Sequence, residues 1–214
     1  MIDVPILNAD LKTILDTFIP LVESIDFDKV CLTDDIVDDW CSVDYLNRIK
    51  KRGRTHGGYP AILKGTCPEF NSFDYNDNEE KTSIISRFDK AAQEIASWSG
   101  ARNRALCAVY PPGGFISWHN NANAAGYNVL FTWSSEGDGQ WEHIDPMTQE
   151  HVVIPDKKGW QCKFGYYGTY DETDKLLYHC ARTNCLRFTI AFVFNADERG
   201  ESMAQMLTEE ISEY

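Results

Sequence analysis

Short β-rich runs separated by turn residues fill the chain after residue 100, and this pattern constrains the fold more than any other feature. No helical pattern interrupts the runs. They cover 105–110, 127–133, 140–144, 151–154, 160–166, 176–180 and 187–194. Several short strands that follow one another without intervening helices are typical of a β-sandwich or a β-barrel.

The first hundred residues show helical patterns instead. Apolar residues recur at helical spacing over 82–98, which predicts a helix that Ser99-Gly100 ends. A shorter helix is expected over 35–49, with Thr33-Asp34 available as caps. Another is expected over 11–21, where a proline near its end stops it.

The chain is long enough to bury one sizeable core, so we expect a single domain over 1–214. Its parts are a mainly helical segment at 1–100, the β core at 101–195 and an acidic helix or tail at 196–214. A loop rich in Pro, Gly, Asn and Asp is expected over 64–78. The helices are expected to pack on one face of the β core.

Charge and cysteine content argue against several classes of function. Acidic residues outnumber basic ones by 33 to 20, and the net charge of -13 disfavours general binding to nucleic acid or to anionic membranes. The seven cysteines are scattered without a Cys-x-x-Cys pair, so neither a zinc knuckle nor a disulfide framework is indicated. Because no signal-peptide pattern and no membrane-length apolar run is present, we expect a soluble, cytoplasmic protein.

The residues that carry chemistry are two histidines and an arginine. Residues 110–119 read Tyr-Pro-Pro-Gly-Gly-Phe-Ile-Ser-Trp-His, so a strand ends in a Pro-Gly turn that then presents His119. His179 lies in the apolar run 60 residues later, and Arg187 opens the last strand 8 residues beyond it. Strand alternation places Arg187 on a face of otherwise small residues, which suits a narrow barrel interior. A buried arginine needs an anion there, since an unpaired buried charge is costly.

Residues 105–194 resemble the prolyl-hydroxylase-like branch of the Fe(II)- and 2-oxoglutarate-dependent oxygenases. In that family a Tyr-rich strand and a glycine turn lead to an H-x-D or H-x-E pair, and a distal histidine and a basic residue follow. Tyr110, His119, His179 and Arg187 match this order and spacing. The resemblance implies a double-stranded β-helix (jelly-roll) core, Fe(II) held by His119 and His179, and 2-oxoglutarate held by Arg187 with Tyr110.

Asn121 stands two positions after His119, where the family has an acid. An amide oxygen is a neutral and weaker ligand than a carboxylate. Four arrangements fit this difference. Asn121 itself binds the metal, a water or an anion fills the position, or the site has lost its metal and serves binding only. In the fourth arrangement the carboxylate comes from Asp138, Glu142 or Asp145.

The leading hypothesis is a hydroxylase-type oxygenase that acts on an unidentified small molecule, nucleotide or protein side chain. A catalytically silent jelly-roll module that binds a ligand is the first alternative, and Asn121 favours it. A cupin-like metal enzyme without a cosubstrate is the second, and Arg187 argues against it. His143 and His151 are less favoured as ligands, because lone strand histidines are usually surface or hydrogen-bonded residues.

Overall fold

The computed structural model describes residues 1–29, 39–60, 62–68, 78–101 and 103–213. Its strands are β1 (Ile2–Val4), β2 (Leu63–Lys64), β3 (Asn103–Tyr110), β4 (Phe115–His119), β5 (Gly126–Ser134), β6 (Gly139–Ile144), β7 (His151–Pro155), β8 (Gly159–Tyr167), β9 (His179–Thr183) and β10 (Arg187–Phe194). Its α-helices are α1 (Ala9–Asp16), α2 (Ile19–Glu23), α3 (Val43–Arg52), α4 (Asn78–Ser99) and α5 (Glu198–Ser212). None of the described helices is long and apolar enough to cross a membrane.

These strands form two five-stranded antiparallel sheets. Sheet 1 has the order β1-β8-β5-β10-β3, and sheet 2 has the order β2-β4-β9-β6-β7. From β3 onward the chain passes back and forth between the sheets, except that β6 and β7 form a hairpin within sheet 2. This winding is a double-stranded β-helix, so the expected mainly β jelly-roll fold is confirmed.

Strand β10 explains why sheet 1 has two different faces. Its side chains alternate, so Phe188 and Ile190 point outward and join the core formed with α1, α2, α4 and α5. Ala191 points inward and packs in a second cluster with Ile116 and Trp141 of sheet 2. The inner faces of the two sheets therefore enclose the space between them.

Helix α3 packs on the opposite side of the molecule from the other helices. Its buried residues Tyr45, Leu46 and Ile49 contact Trp118 and Cys180 on the outer face of sheet 2. The expectation that helices pack on one face holds for α1, α2, α4 and α5, and α3 is the exception. The outer faces of both sheets are thus covered by helices.

Several helix boundaries differ from expectation; α4, for example, begins at Asn78 and α3 continues to Arg52. Helix α3 begins at Val43, because Ser42 accepts a hydrogen bond from the Tyr45 amide (3.1 Å) and caps it. The caps expected at Thr33-Asp34 lie outside the described residues. Pro20 does not stop a helix; it lies in the first turn of α2, where its missing N–H is not needed.

Several strand positions also differ. The strand expected over 176–180 begins at His179, and β4 was not among the expected runs. Strand β1, from the segment expected to be helical, pairs with β8 at the edge of sheet 1. The loop expected over 64–78 includes one residue of β2, while 69–77 lie outside the described residues.

Phe188 is the centre of the aromatic packing between sheet 1 and its helices. Its ring lies 5.1 Å from that of Phe18, 5.9 Å from that of Phe88 and 6.0 Å from that of Trp160. We predict that Phe188→Ala lowers the free energy of unfolding by about 3 to 5 kcal/mol, because it leaves a cavity among these rings. Urea denaturation would measure the loss. Met206→Ala, at a position 68% exposed, should change stability by less than about 0.5 kcal/mol; similar losses for both variants would contradict this account.

Candidate functional site

The two histidines singled out in the sequence lie side by side. Strands β4 and β9 pair so that His119 faces His179, after an irregularity in the register that follows Ile116. Residues opposite one another on neighbouring strands project from the same face of a sheet. The ring centroids are 4.1 Å apart, and both side chains are buried.

The hydrogen bonds of the two rings fix which nitrogen carries the proton. Nδ1 of His119 lies 2.7 Å from the Ser117 carbonyl oxygen, and Nδ1 of His179 lies 3.3 Å from that of Leu177. A carbonyl oxygen only accepts, so each Nδ1 must be the donor and each Nε2 keeps its lone pair. A hydrogen bond from the ring nitrogen that does not bind the metal commonly orients a metal-binding histidine.

Burial keeps both imidazoles neutral. It lowers the pKa of His119 to about 4. Burial, and then the neighbouring His119, lowers the pKa of His179 well below its usual range. At neutral pH both rings are therefore in the unprotonated form that binds metal ions.

A cavity of about 520 Å³ opens onto the histidine pair. Asn121 lines the same cavity, together with Asn128, Arg104 and Tyr167. The remaining wall is mainly apolar, formed by residues such as Leu130 and Ala191. The site thus combines two imidazoles and a few polar groups with a wall that offers water little hydrogen bonding.

Glu142, one of the carboxylates considered as a metal ligand, lies on the wrong side of its strand. It pairs in register with Cys180, so its side chain leaves β6 on the face opposite to that of His179. There it is 2.9 Å from Nε of Arg182 and 2.7 Å from Nε2 of His151. Its carboxylate is therefore already paired outside the barrel.

The other two carboxylates also lie apart from the histidine pair. Asp138 is exposed in the turn before β6 and accepts a hydrogen bond from the side chain of Asn184. Asp145 accepts from the amides of Met147 and Thr148 in the turn after β6. Among the described residues, no group of three His, Cys, Asp or Glu side chains is arranged to hold a metal ion.

His143 is a neighbour of the pair that the sequence did not favour. It faces His179 from β6, so three histidines follow one another across β4, β9 and β6. Its ring lies 4.8 Å from that of Trp141, and its buried Nδ1 has no hydrogen-bond partner among the described residues. His143 comes to lie beside His179 only because β6 pairs with β9, and this strand order cannot be read from the sequence.

Arg187 lies on the inner face of sheet 1. The floor is our name for the end of the barrel where Arg187, Asp156 and Lys163 meet. Nε of Arg187 donates to Oδ2 of Asp156 (2.7 Å), and its Nη1 donates to Oγ1 of Thr189 (2.8 Å). The anion that a buried arginine requires is thus supplied within the chain, by a residue that the sequence analysis missed. The guanidinium carbon lies 5.4 Å from the centre of the Tyr110 ring, so this tyrosine contacts Arg187 through its face.

Lys163 is a second buried cation at the floor. It stands opposite Leu130 in the sheet, which directs its side chain into the barrel, and it is 1% exposed. Its Nζ lies 4.0 Å from Oδ1 of Asp156 and has no hydrogen-bond partner in the described parts of the chain. Burial, followed by repulsion from Arg187, lowers the pKa of Lys163 to about 8, so it remains mostly protonated at neutral pH.

Fold and cavity together define the class of protein: a double-stranded β-helix with a histidine pair inside the barrel. No protein-family model matches the chain, and no curated protein matches its sequence. Solved structures with a similar fold include a prolyl-4-hydroxylase from Pseudomonas putida, at 14% identity over 70% of this chain and 83% of that one, with a TM-score of 0.32.

Two further solved structures have a similar fold. The viral collagen prolyl hydroxylase of Paramecium bursaria Chlorella virus-1, solved as a 2OG complex, is 13% identical over 73% of this chain and 92% of its own, with a TM-score of 0.32. A cupin domain from Bordetella pertussis is 12% identical over 44% and 85%, with a TM-score of 0.26. At these values the likeness concerns the fold in outline and carries no argument about activity.

The charges at the floor predict the order in which three substitutions lower the free energy of unfolding. Asp156→Asn leaves two buried cations without a carboxylate and should lower the free energy of unfolding by about 3 to 5 kcal/mol. Arg187→Met should cost less, because Lys163 can then pair with Asp156. Chemical denaturation of both variants would give the order, with Asp138→Asn as the exposed control. A loss at Asp156 no larger than that at Asp138 would contradict this description of the floor.

Proposed function

We propose that this protein is an Fe(II)- and 2-oxoglutarate-dependent oxygenase of the hydroxylase type. The observation that carries the proposal is the pair of neutral imidazoles of His119 and His179, which opens onto a cavity inside a barrel with a cationic floor. The substrate is a small molecule, a nucleotide or a protein side chain. The strongly acidic composition argues against general nucleic-acid or membrane binding.

The residues present fit a divalent iron ion. Two imidazoles whose Nδ1 atoms are tied to backbone carbonyls present Nε2 lone pairs of the kind that Fe(II) accepts. Asn121 lines the same cavity and can offer an amide oxygen as a third, weaker ligand. Bound iron would supply the oxygen activation that a hydroxylation requires.

The floor of the barrel fits the far end of a dicarboxylate. Arg187 and Lys163 carry two positive charges against the single negative charge of Asp156, so these three buried groups have one positive charge in excess. Burial raises the pKa of Tyr110, so its phenol stays neutral and can donate a hydrogen bond to a carboxylate. A 2-oxoglutarate that reached from the histidines to this floor would neutralise the excess.

The cavity wall would orient and shield the reacting groups. Leu130 and Ala191 line it on the side of sheet 1 and limit the access of water. Tyr59, which is 71% exposed, and Asn128 also line it and can contact a polar substrate. In this arrangement the protein positions substrate and cosubstrate, while the imidazoles hold the metal.

The direct test is anaerobic addition of Fe(II) and 2-oxoglutarate to the purified protein. We expect the weak visible charge-transfer band of the chelate, and a calorimetric binding signal for 2-oxoglutarate that depends on the metal. His119→Ala and His179→Ala should abolish the band. His151→Gln, which changes a histidine outside the barrel, should keep it.

Two results would overturn the proposal. Absence of both the band and the binding signal would exclude the oxygenase assignment. Binding of 2-oxoglutarate that is equally strong with and without Fe(II), and without a band, would instead favour the catalytically silent binding module. That alternative draws its support from the lack of a carboxylate beside the histidines in the described residues.

Asn121 offers a second prediction. If its side chain occupies the third ligand position, Asn121→Asp should raise Fe(II) affinity by at least about tenfold, because a charged carboxylate replaces a neutral amide. Asn121→Ala should lower the affinity. Calorimetry under anaerobic conditions would measure both, and unchanged affinity in both variants would remove Asn121 from the ligand set.

A further inference from the structure

We propose that Lys163 is the residue that directly binds the carboxylate of an anion entering the barrel, while Arg187 acts behind it as one half of an internal ion pair. The identification of that anion as 2-oxoglutarate rests on the proposed function. The anion site itself rests on the contacts of Lys163, Arg187 and Asp156. It makes Lys163, rather than the basic residue of the last strand, the principal determinant of anion affinity.

Arg187 is already satisfied by the protein. Its Nε–Oδ2 contact with Asp156 is 2.7 Å long, and both side chains are buried. Its Nη1 is bonded to Thr189, and the face of its guanidinium lies against Tyr110. A charge-assisted pair of this kind holds its partner strongly, so an entering carboxylate would have to compete with Asp156 for Arg187.

Lys163 is in the opposite situation. It is as deeply buried as Arg187, yet the described residues offer its Nζ no hydrogen bond, and Asp156 is 4.0 Å away. An ammonium group taken out of water is costly unless it is both paired and hydrogen-bonded. Asp156 provides a long ion pair, and an anion that binds here would add a closer charge and the missing hydrogen bond.

The position of Lys163 in the sheet relates it to the cavity. On one side its cross-strand neighbours are Leu130 on β5, then Ala191 on β10, then Leu106 on β3, and all three line the cavity. On the other side it pairs with Asp3 of β1, whose partly exposed carboxylate binds Lys157. Arg187 lies four residues further along β10, which is about 13 Å along the strand. The backbone of Lys163 is thus level with the wall of the cavity, and its side chain reaches from there toward Asp156 at the floor.

The experiment compares the binding of glutarate and of 2-oxoglutarate to wild type, Lys163→Met, Lys163→Arg and the exposed control Lys12→Met. Glutarate has both carboxylates but no keto group, so its binding by metal-free protein reports the anion site without the chelate. Calorimetry should show that Lys163→Met weakens the binding of both ligands by at least about tenfold. Lys163→Arg should restore part of the affinity, and Lys12→Met should match wild type.

Thermal stability gives a second readout that a purely structural lysine would not produce. In the ligand-free protein, Lys163→Met removes a buried charge that has no hydrogen bond among the described residues, and it leaves Arg187 and Asp156 balanced. Its melting temperature should therefore rise, by about 2 to 8 °C. Weaker anion binding together with higher stability is the expected signature.

The outcomes separate this inference from the proposed function. Unchanged glutarate affinity in Lys163→Met, no glutarate binding by wild type at millimolar concentrations, or a lower melting temperature of Lys163→Met would each overturn the role of Lys163. Lys163-dependent glutarate binding without an Fe(II) and 2-oxoglutarate band would uphold the anion site and refute the oxygenase. If Lys163→Met keeps both the band and the 2-oxoglutarate affinity of wild type, the oxygenase is upheld and the anion-binding role of Lys163 is refuted.

Discussion

The ion pair between Arg187 and Asp156 is the interaction on which the interior of this barrel depends. Arg187 opens β10 in sheet 1, while Asp156 follows β7 in sheet 2 and donates its backbone N–H to the carbonyl oxygen of Gly139. The pair therefore joins the two sheets at the floor. Because this one buried carboxylate faces two buried cations, the three groups together carry one positive charge in excess.

The histidine pair depends on a different constraint, the register of sheet 2. An irregularity between Ile116 and His119 brings His119 opposite His179 and onto the inner face. The same sheet directs Glu142 outward, where Arg182 and His151 satisfy it. A shift of one residue in β6 would exchange the faces of Glu142 and His143 and change the chemistry of the site. The placement of histidines on the inner face is thus a matter of strand alignment as much as of residue type.

Sequence reasoning succeeded where a local pattern is sufficient. The alternation in β10 separated Phe188 from Arg187, and the structure confirms that these side chains point to opposite faces. It failed where a partner comes from a distant segment: nothing near Arg187 in the chain identifies Asp156. Lys163, within a strand of mostly uncharged residues, was a visible but unused signal, since a lone charge between two sheet layers is rarely without a partner.

The sequence by itself determined a β-sandwich or β-barrel class after residue 100, the presence of two histidines and an arginine in its strand-like runs, and the charge that argues against polyanion binding. These follow from period, turn residues and composition, which are properties of neighbours along the chain. Only the tertiary structure decided that Asp156 neutralises Arg187, that Lys163 is left with no hydrogen-bond partner among the described residues, and that Glu142 faces outward. The reason is that burial and pairing depend on which strands lie side by side and in which register, and residues far apart in the chain meet only when the sheets have formed.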